Sequence, residues 1–366
     1  MLKSSEGNDV LLSKVIEYLR FPLIVGVVFI HNYSAAITVG GVEIGATDDL
    51  PVFYYVSNLF SQVLARVAVP LFFFISGFLF FYKIETFNTT VWLSKLNKRF
   101  KTLLIPYLFW NLLVVGLYFL INHLPYVNQF FAGKEHNIVD VLIGAVDDKG
   151  TMTYPLAYQF WFIRDLIVCV VLSPLLYWIV TKTHHIGVIL LGIGWFVGYK
   201  IPYIGIRGFS TTALFFFSLG AWFSCYRKDL IAIARNLKYI AVIYPALAIA
   251  DLLTKEQPYN DYIHNAGILA GIEFCFLLVA YLIENNRIKT VPLLSSASFF
   301  IFAIHEPWLL SQLKKIVFMT VHPKSDFVVT LLYFAVVIFV VAIAVGLYYI
   351  IKRLMPSFTA LITGGR

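Results

Sequence analysis

Arg20 and His31 stand at opposite ends of ten mostly apolar residues, FPLIVGVVFI. A histidine takes or gives a proton near neutral pH, and an arginine grips an anion such as phosphate with two parallel hydrogen bonds. Eleven positions turn a helix through about 1100°, so the two side chains fall within roughly 20° of one face and about 16 Å apart along the axis. The segment reads as a first membrane span. With Arg20 at the membrane boundary, His31 lies near the middle of a ~30 Å hydrocarbon layer, where an ionisable residue is a functional candidate by default. The plainer readings are a core histidine satisfied by a carbonyl and an arginine that snorkels to the interface.

The same depth count gathers other ionisable residues. Arg66 in the second span, Glu273 in the eighth, and His305 with Glu306 in the ninth return to about the depth of His31, while Arg164 and Asp165, in WFIRDLI, lie nearer the outer end of the fourth. Charges on several spans at mid-depth are costly unless they face one another or a wet cavity. One polar cavity is therefore expected, the alternative being buried ion pairs that fix packing, such as Arg66 with Glu273. Asp165 points about 100° away from Arg164 around a helix, so no bridge between them is expected.

These residues need helices to carry them, and the composition supplies helices of one kind. Hydrophobic residues make up 60% of the 366 and charged residues 13%, too much apolar surface for a soluble chain to hide. Apolar runs place spans near 17–36, 54–82, 101–121, 159–180, 186–201, 209–226, 238–255, 263–284, 292–312 and 327–351. The expectation is an all-α integral membrane protein, one domain over residues 1–366, with about ten transmembrane helices in one bundle. With the amino terminus inside, seventeen lysines and arginines fall in cytoplasmic connections and tails against eight on the opposite side, which favours cytoplasmic termini. The net charge of +8 is then a topology signal, and the dispersed basic residues exclude a nucleic-acid surface. No small-residue cleavage site follows the first apolar run, so it reads as a retained span. Cys169, Cys225 and Cys275 show no paired spacing, and neither a disulfide framework nor a metal site is indicated. The long connection 122–158 reads either as an outward-facing binding loop or as a solvated connector.

Five motifs in order complete the pattern: Arg20-x10-His31, ARVAVPLFFFISGF from Ala65 to Phe78, KRFKTLLIPYLFW from Lys98 to Trp110, FWFIRDL from Phe160 to Leu166, and SSASFFIFAIHEP from Ser295 to Pro307. Together, over nearly the whole chain, they resemble the acyltransferase-3 family of membrane O-acyltransferases in its short stand-alone form. The resemblance implies transfer of an acyl group, usually acetyl from acetyl-coenzyme A, to a hydroxyl of a sugar or a lipid-linked or surface glycan of the cell envelope. It implies a multi-pass protein of the cytoplasmic membrane with acetyl-coenzyme A as co-substrate and no permanently bound cofactor. It also links the residues matching His31 and Arg20 to activity.

The residues suit that chemistry on their own terms. A sugar hydroxyl is a poor nucleophile near neutral pH and gains from a positioned histidine, acting as general base or as transient acyl carrier. Coenzyme A brings phosphates, for which Arg20 and the cluster Lys95, Lys98, Arg99 and Lys101 are candidate partners; the lysines equally satisfy the positive-inside rule. Arg66 or Arg164 would suit an oxyanion, and His305 with Glu306 forms a second centre. The competing class is a proton-coupled transporter of a sugar or lipid-linked glycan, built on the same buried ionisable residues.

Overall fold

The computed structural model describes residues 2–39, 42–45, 50–123, 142–144, 154–198 and 210–365. Its apolar runs fold as helices, which satisfy every backbone polar group within one segment, as a hydrocarbon layer requires. Five helical stretches are long and apolar enough to cross a membrane: Pro51–Phe81, Thr89–Leu117, Asn260–Glu284, Pro292–Val321 and Asp326–Leu354. Two pairs of helices, bent by 64° between Val171 and Ser173 and by 77° between Asn236 and Ile240, raise the number to seven if each pair is one span. A helical membrane architecture is thus present, with five to seven candidate spans among the described residues against the ten expected; the helix Leu2–His31, expected as the first span, and the short apolar helices His185–Val197 and Thr211–Cys225 are not among them. A small antiparallel hairpin, β1 (Ala36–Val39) with β2 (Val42–Gly45), was not anticipated. Most of the 122–158 connection lies outside the described residues.

The chain forms two compact units, each discontinuous in sequence. The first holds residues 1–82 and 219–349. Its central helix, α1 (Leu2–His31), packs against α2 (Pro51–Phe81), the helices Leu230–Asn236 and Asn260–Glu284, and α3 (Pro292–Ile304). The amino-terminal end of α1 is pinned where Asn8 donates to Asp229 at 2.6 Å, a carboxylate that also caps Ala232 N–H. At its other end Ser61 Oγ donates to the Phe29 carbonyl, so the Tyr333 hydroxyl, 2.7 Å away, donates to Ser61. Asn32 Nδ2 completes the latch on the Tyr333 carbonyl at 2.9 Å. The start of α2 is held by Asp326, which accepts from Val52 and Phe53 N–H at 2.7 Å each. Close backbone approach accounts for Gly220, where an added Cβ would lie 2.0 Å from the Phe74 carbonyl oxygen.

Two of these helices lose regular winding just before or at a proline, although Pro22 and Pro245 sit inside helices that stay regular. In α2, Pro70 has no N–H for the Arg66 carbonyl, and the turns before it are π-helical over Asn58–Leu64 and 3-10 over Ala65–Val67. Pro307 likewise withholds a donor from the Ala303 carbonyl, and α3 ends in an irregular His305–Leu309 turn in which Glu306 is extended (φ −130°, ψ 158°). Beyond it the chain continues as α4 (Leu310–Val321).

The second unit holds residues 83–218 and 350–366. Asn88 caps the helix Thr89–Arg99, which passes through Phe100–Leu104 into Ile105–His123, so Lys95, Lys98, Arg99 and Lys101 ride on continuous helix. Trp110 Nε1 donates to the Ile362 carbonyl at 2.9 Å, and Gly364, at φ 71°, closes the carboxyl-terminal helix against Thr102. Trp195 stacks on Phe215 at 5.4 Å.

Candidate active site

The two proline-determined irregularities and the end of α1 meet at His31. The last turn of α1 delivers the half-buried His31 ring against that of His305, with 5.2 Å between centroids and a 51° tilt. His305 is fully buried, and its Nδ1 lies 2.7 Å from the Phe302 carbonyl in the preceding turn. From the irregular part of α2, Arg66 approaches closely enough for its charge to act on His31, and its guanidinium donates to Gln62 Oε1 one turn earlier, at 3.0 Å from Nε. Glu306, buried, accepts from Ser311 at 3.2 Å. Lys314, buried on α4, donates to the Ser34 carbonyl just beyond α1 and feels the charge of Glu306. Three of the expected residues, His31, Arg66 and His305, thus come together, with Glu306 adjoining them.

Arg20 lies exposed near the amino-terminal half of α1, on the lining of a cavity of about 410 Å³ shared with Ser13, Glu17, Tyr82, Ser295 and Ser296. The helix that carries the half-buried His31 therefore also lines a cavity, with a cation between carboxylate and hydroxyl side chains. Asp9 adds a second carboxylate to the wall, so among the described residues Arg20 is the one lining residue at which an anionic group of a polar ligand could dock.

Some contacts differ from the sequence reading. Glu273 Oε2 is buried without a hydrogen-bond partner, and no ion pair joins Glu273 to Arg66 among the described residues, because Arg66 turns along its own helix to Gln62. Arg164 and Asp165 do pair, at 2.9 Å from Nε to Oδ1, since the long guanidinium arm reaches around the helix that separates their Cβ directions. Arg164 Nη1 also donates to the Ile143 carbonyl at 2.6 Å. In the second unit Lys98 and Lys101 are exposed and Arg99 is half-buried.

Sequence reasoning missed Gln62, Lys314 and a network around Asp251. Gln62 stands at the i,i+4 spacing from Arg66, a legible signal. Lys314, which follows the expected span 292–312 and is one of the eight basic residues counted on the outward side, occupies the middle of the buried stripe Leu310, Lys314, Phe318, a helical period that could have shown it. Asp251, 2% exposed, accepts from Lys255 at 3.1 Å and Asn260 at 2.9 Å and meets His264 Nδ1 at 2.7 Å; Lys255 also donates to the Gln62 carbonyl at 3.3 Å. That network buttresses the segment that presents Arg66.

Comparison with known proteins gives a consistent picture. The sequence model of the acyltransferase-3 family, described as an acyltransferase domain, matches residues 14–349. The succinoglycan biosynthesis protein ExoH of Rhizobium meliloti (strain 1021) is 26% identical over 373 residues, spanning 98% of this chain and 94% of that protein. No solved structure matches.

Proposed function

The chain belongs to the acyltransferase-3 family, and from that premise we propose that this membrane acyltransferase moves an acetyl group from cytoplasmic acetyl-coenzyme A to a hydroxyl of a sugar, lipid-linked or surface glycan, with His31 as the base. The observation that carries the reading is that one helix holds both a cation on a cavity wall and, about 16 Å further on, the half-buried His31 near a second cation. Arg20 holds the donor through a phosphate, and the thioester reaches toward His31. The acceptor oxygen bonds to the acyl carbon while its proton passes to His31. The Arg66 guanidinium, fixed by Gln62, stabilises the oxyanion that forms. Collapse of that intermediate breaks the carbon–sulfur bond, and the proton leaves with coenzyme A. The relative's role in succinoglycan biosynthesis supports an envelope or extracellular glycan as acceptor, and the family supports residence in the cytoplasmic membrane with several passes.

The test is release of free thiol from acetyl-coenzyme A by protein in membranes that retain their glycolipids, comparing wild type with His31→Ala and Arg20→Ala. Release should fall about 100-fold or more for His31→Ala and also drop for Arg20→Ala, with both variants monodisperse after extraction. Unchanged release in His31→Ala would return that histidine to a packing role. No release from any form would overturn the donor assignment and favour transport of the glycan itself.

A further inference from the structure

One buried nitrogen beside His31 has no part in that scheme. His305 Nδ1 faces the Phe302 carbonyl at 2.7 Å, and a carbonyl only accepts, so Nδ1 carries the ring hydrogen and Nε2 is a bare lone pair. His305 is fully buried, and its Nε2 has no hydrogen-bond partner. Buried polar atoms nearly always find partners, and an exception inside a reacting centre calls for an explanation. The fold keeps this one in place: with Pro307 withholding a backbone donor and Glu306 extended, the ring is anchored through Nδ1 at the broken end of α3. The His31 ring lies beside it at 5.2 Å between centroids and a 51° tilt, with no hydrogen bond between the two rings in this structure; that separation is close to what one N–H···N bond between two imidazole edges spans, so a turn of the His31 ring is the motion that would make it.

We infer that His305 is a positioning residue for His31: in the reacting complex its Nε2 accepts the His31 N–H, so that the other His31 nitrogen presents its lone pair to the acceptor hydroxyl. The inference rests on the acyl-transfer reading above. When the hydroxyl oxygen bonds to the acyl carbon, its proton moves to His31, and the resulting imidazolium shares its charge with the His305 ring through the same hydrogen bond. When the carbon–sulfur bond breaks, the electron pair stays on sulfur and the proton passes from His31 to the thiolate. Both rings return to their starting states. A neutral imidazole here does what a carboxylate does for histidines elsewhere, without placing a second anion beside the oxyanion.

Two variants separate this role from packing. His305→Asn keeps a donor where Nδ1 stands and removes the acceptor at Nε2. His305→Gln returns an acceptor oxygen near Nε2. With acetyl-coenzyme A as donor and octyl β-glucoside as the sugar-hydroxyl probe, His305→Asn should lower kcat about 100-fold with KM for both probes unchanged, and His305→Gln should recover about tenfold of that loss. Full turnover in His305→Asn would overturn the inference. A raised KM for octyl β-glucoside at constant kcat would overturn it too, by placing Nε2 on the acceptor. Loss of monodispersity in His305→Asn would do the same, because Nε2 would then be serving the fold. An active wild type with any of these results removes only the histidine pair, whereas a wild type that releases no thiol removes the acyl-transfer reading and the pair with it.

Discussion

At the scale of single residues, the spacing of Arg20 and His31 was legible because both lie on one helix, where sequence distance converts directly into geometry. The meeting of His31 with His305 was legible only as a shared depth, since side-chain contact between residues so far apart in sequence depends on how α1 and α3 pack. Lys314 was misplaced because a lysine pair at the end of an apolar run resembles an interfacial charge, while its burial depends on a carbonyl supplied by Ser34. For Arg20 the proposed grip on a phosphate predicts an asymmetry. Arg20→Lys keeps the charge but loses the two-pronged contact, and KM for acetyl-coenzyme A should rise about tenfold, the equivalent of one hydrogen bond of ~1.4 kcal/mol, at nearly constant kcat. A loss confined to kcat in steady-state thiol release would place Arg20 on the reaction instead of the donor.

At the scale of elements, apolar runs announced the helices well, and the prolines were present in the sequence reading without their consequences being drawn. Four positions after Arg66 and two after His305, Pro70 and Pro307 withhold backbone donors, and each break falls where an ionisable side chain is presented. Spans were also expected to be unbroken, whereas two helix pairs bend at Leu172 and between Asn236 and Ile240. If the irregular winding of α2 serves to aim Arg66, then regularising it should strengthen the helix and weaken the enzyme. Pro70→Ala returns an N–H to the Arg66 carbonyl, so the thermal midpoint in detergent should hold or rise while thiol release falls by about tenfold or more. Unchanged release, measured beside the melting curve, would mean that Arg66 is positioned by packing alone.

At the scale of the whole molecule, the charge asymmetry of the connections predicts a sidedness that labelling can test: both termini inside and the hairpin outside. In a cysteine-free background, Thr38→Cys, at an exposed position of β1, should react with a membrane-impermeant maleimide in intact cells, and Gly7→Cys, at an exposed position of α1, only after lysis. The reverse pattern would invert the chain and put the Arg20 cavity on the side where coenzyme A is absent. The pinning of α1 at both ends has a last consequence. With Asn8 moored to Asp229 and Phe29 and Asn32 moored through Ser61 and Tyr333, the interval between the Arg20 cavity and His31 is set by the helical rise per residue, even with Pro22 inside it. The helix is then a caliper. On the proposed reading it measures the arm of the carrier, so that a thioester on a truncated thiol would sit in the cavity and never reach the histidine.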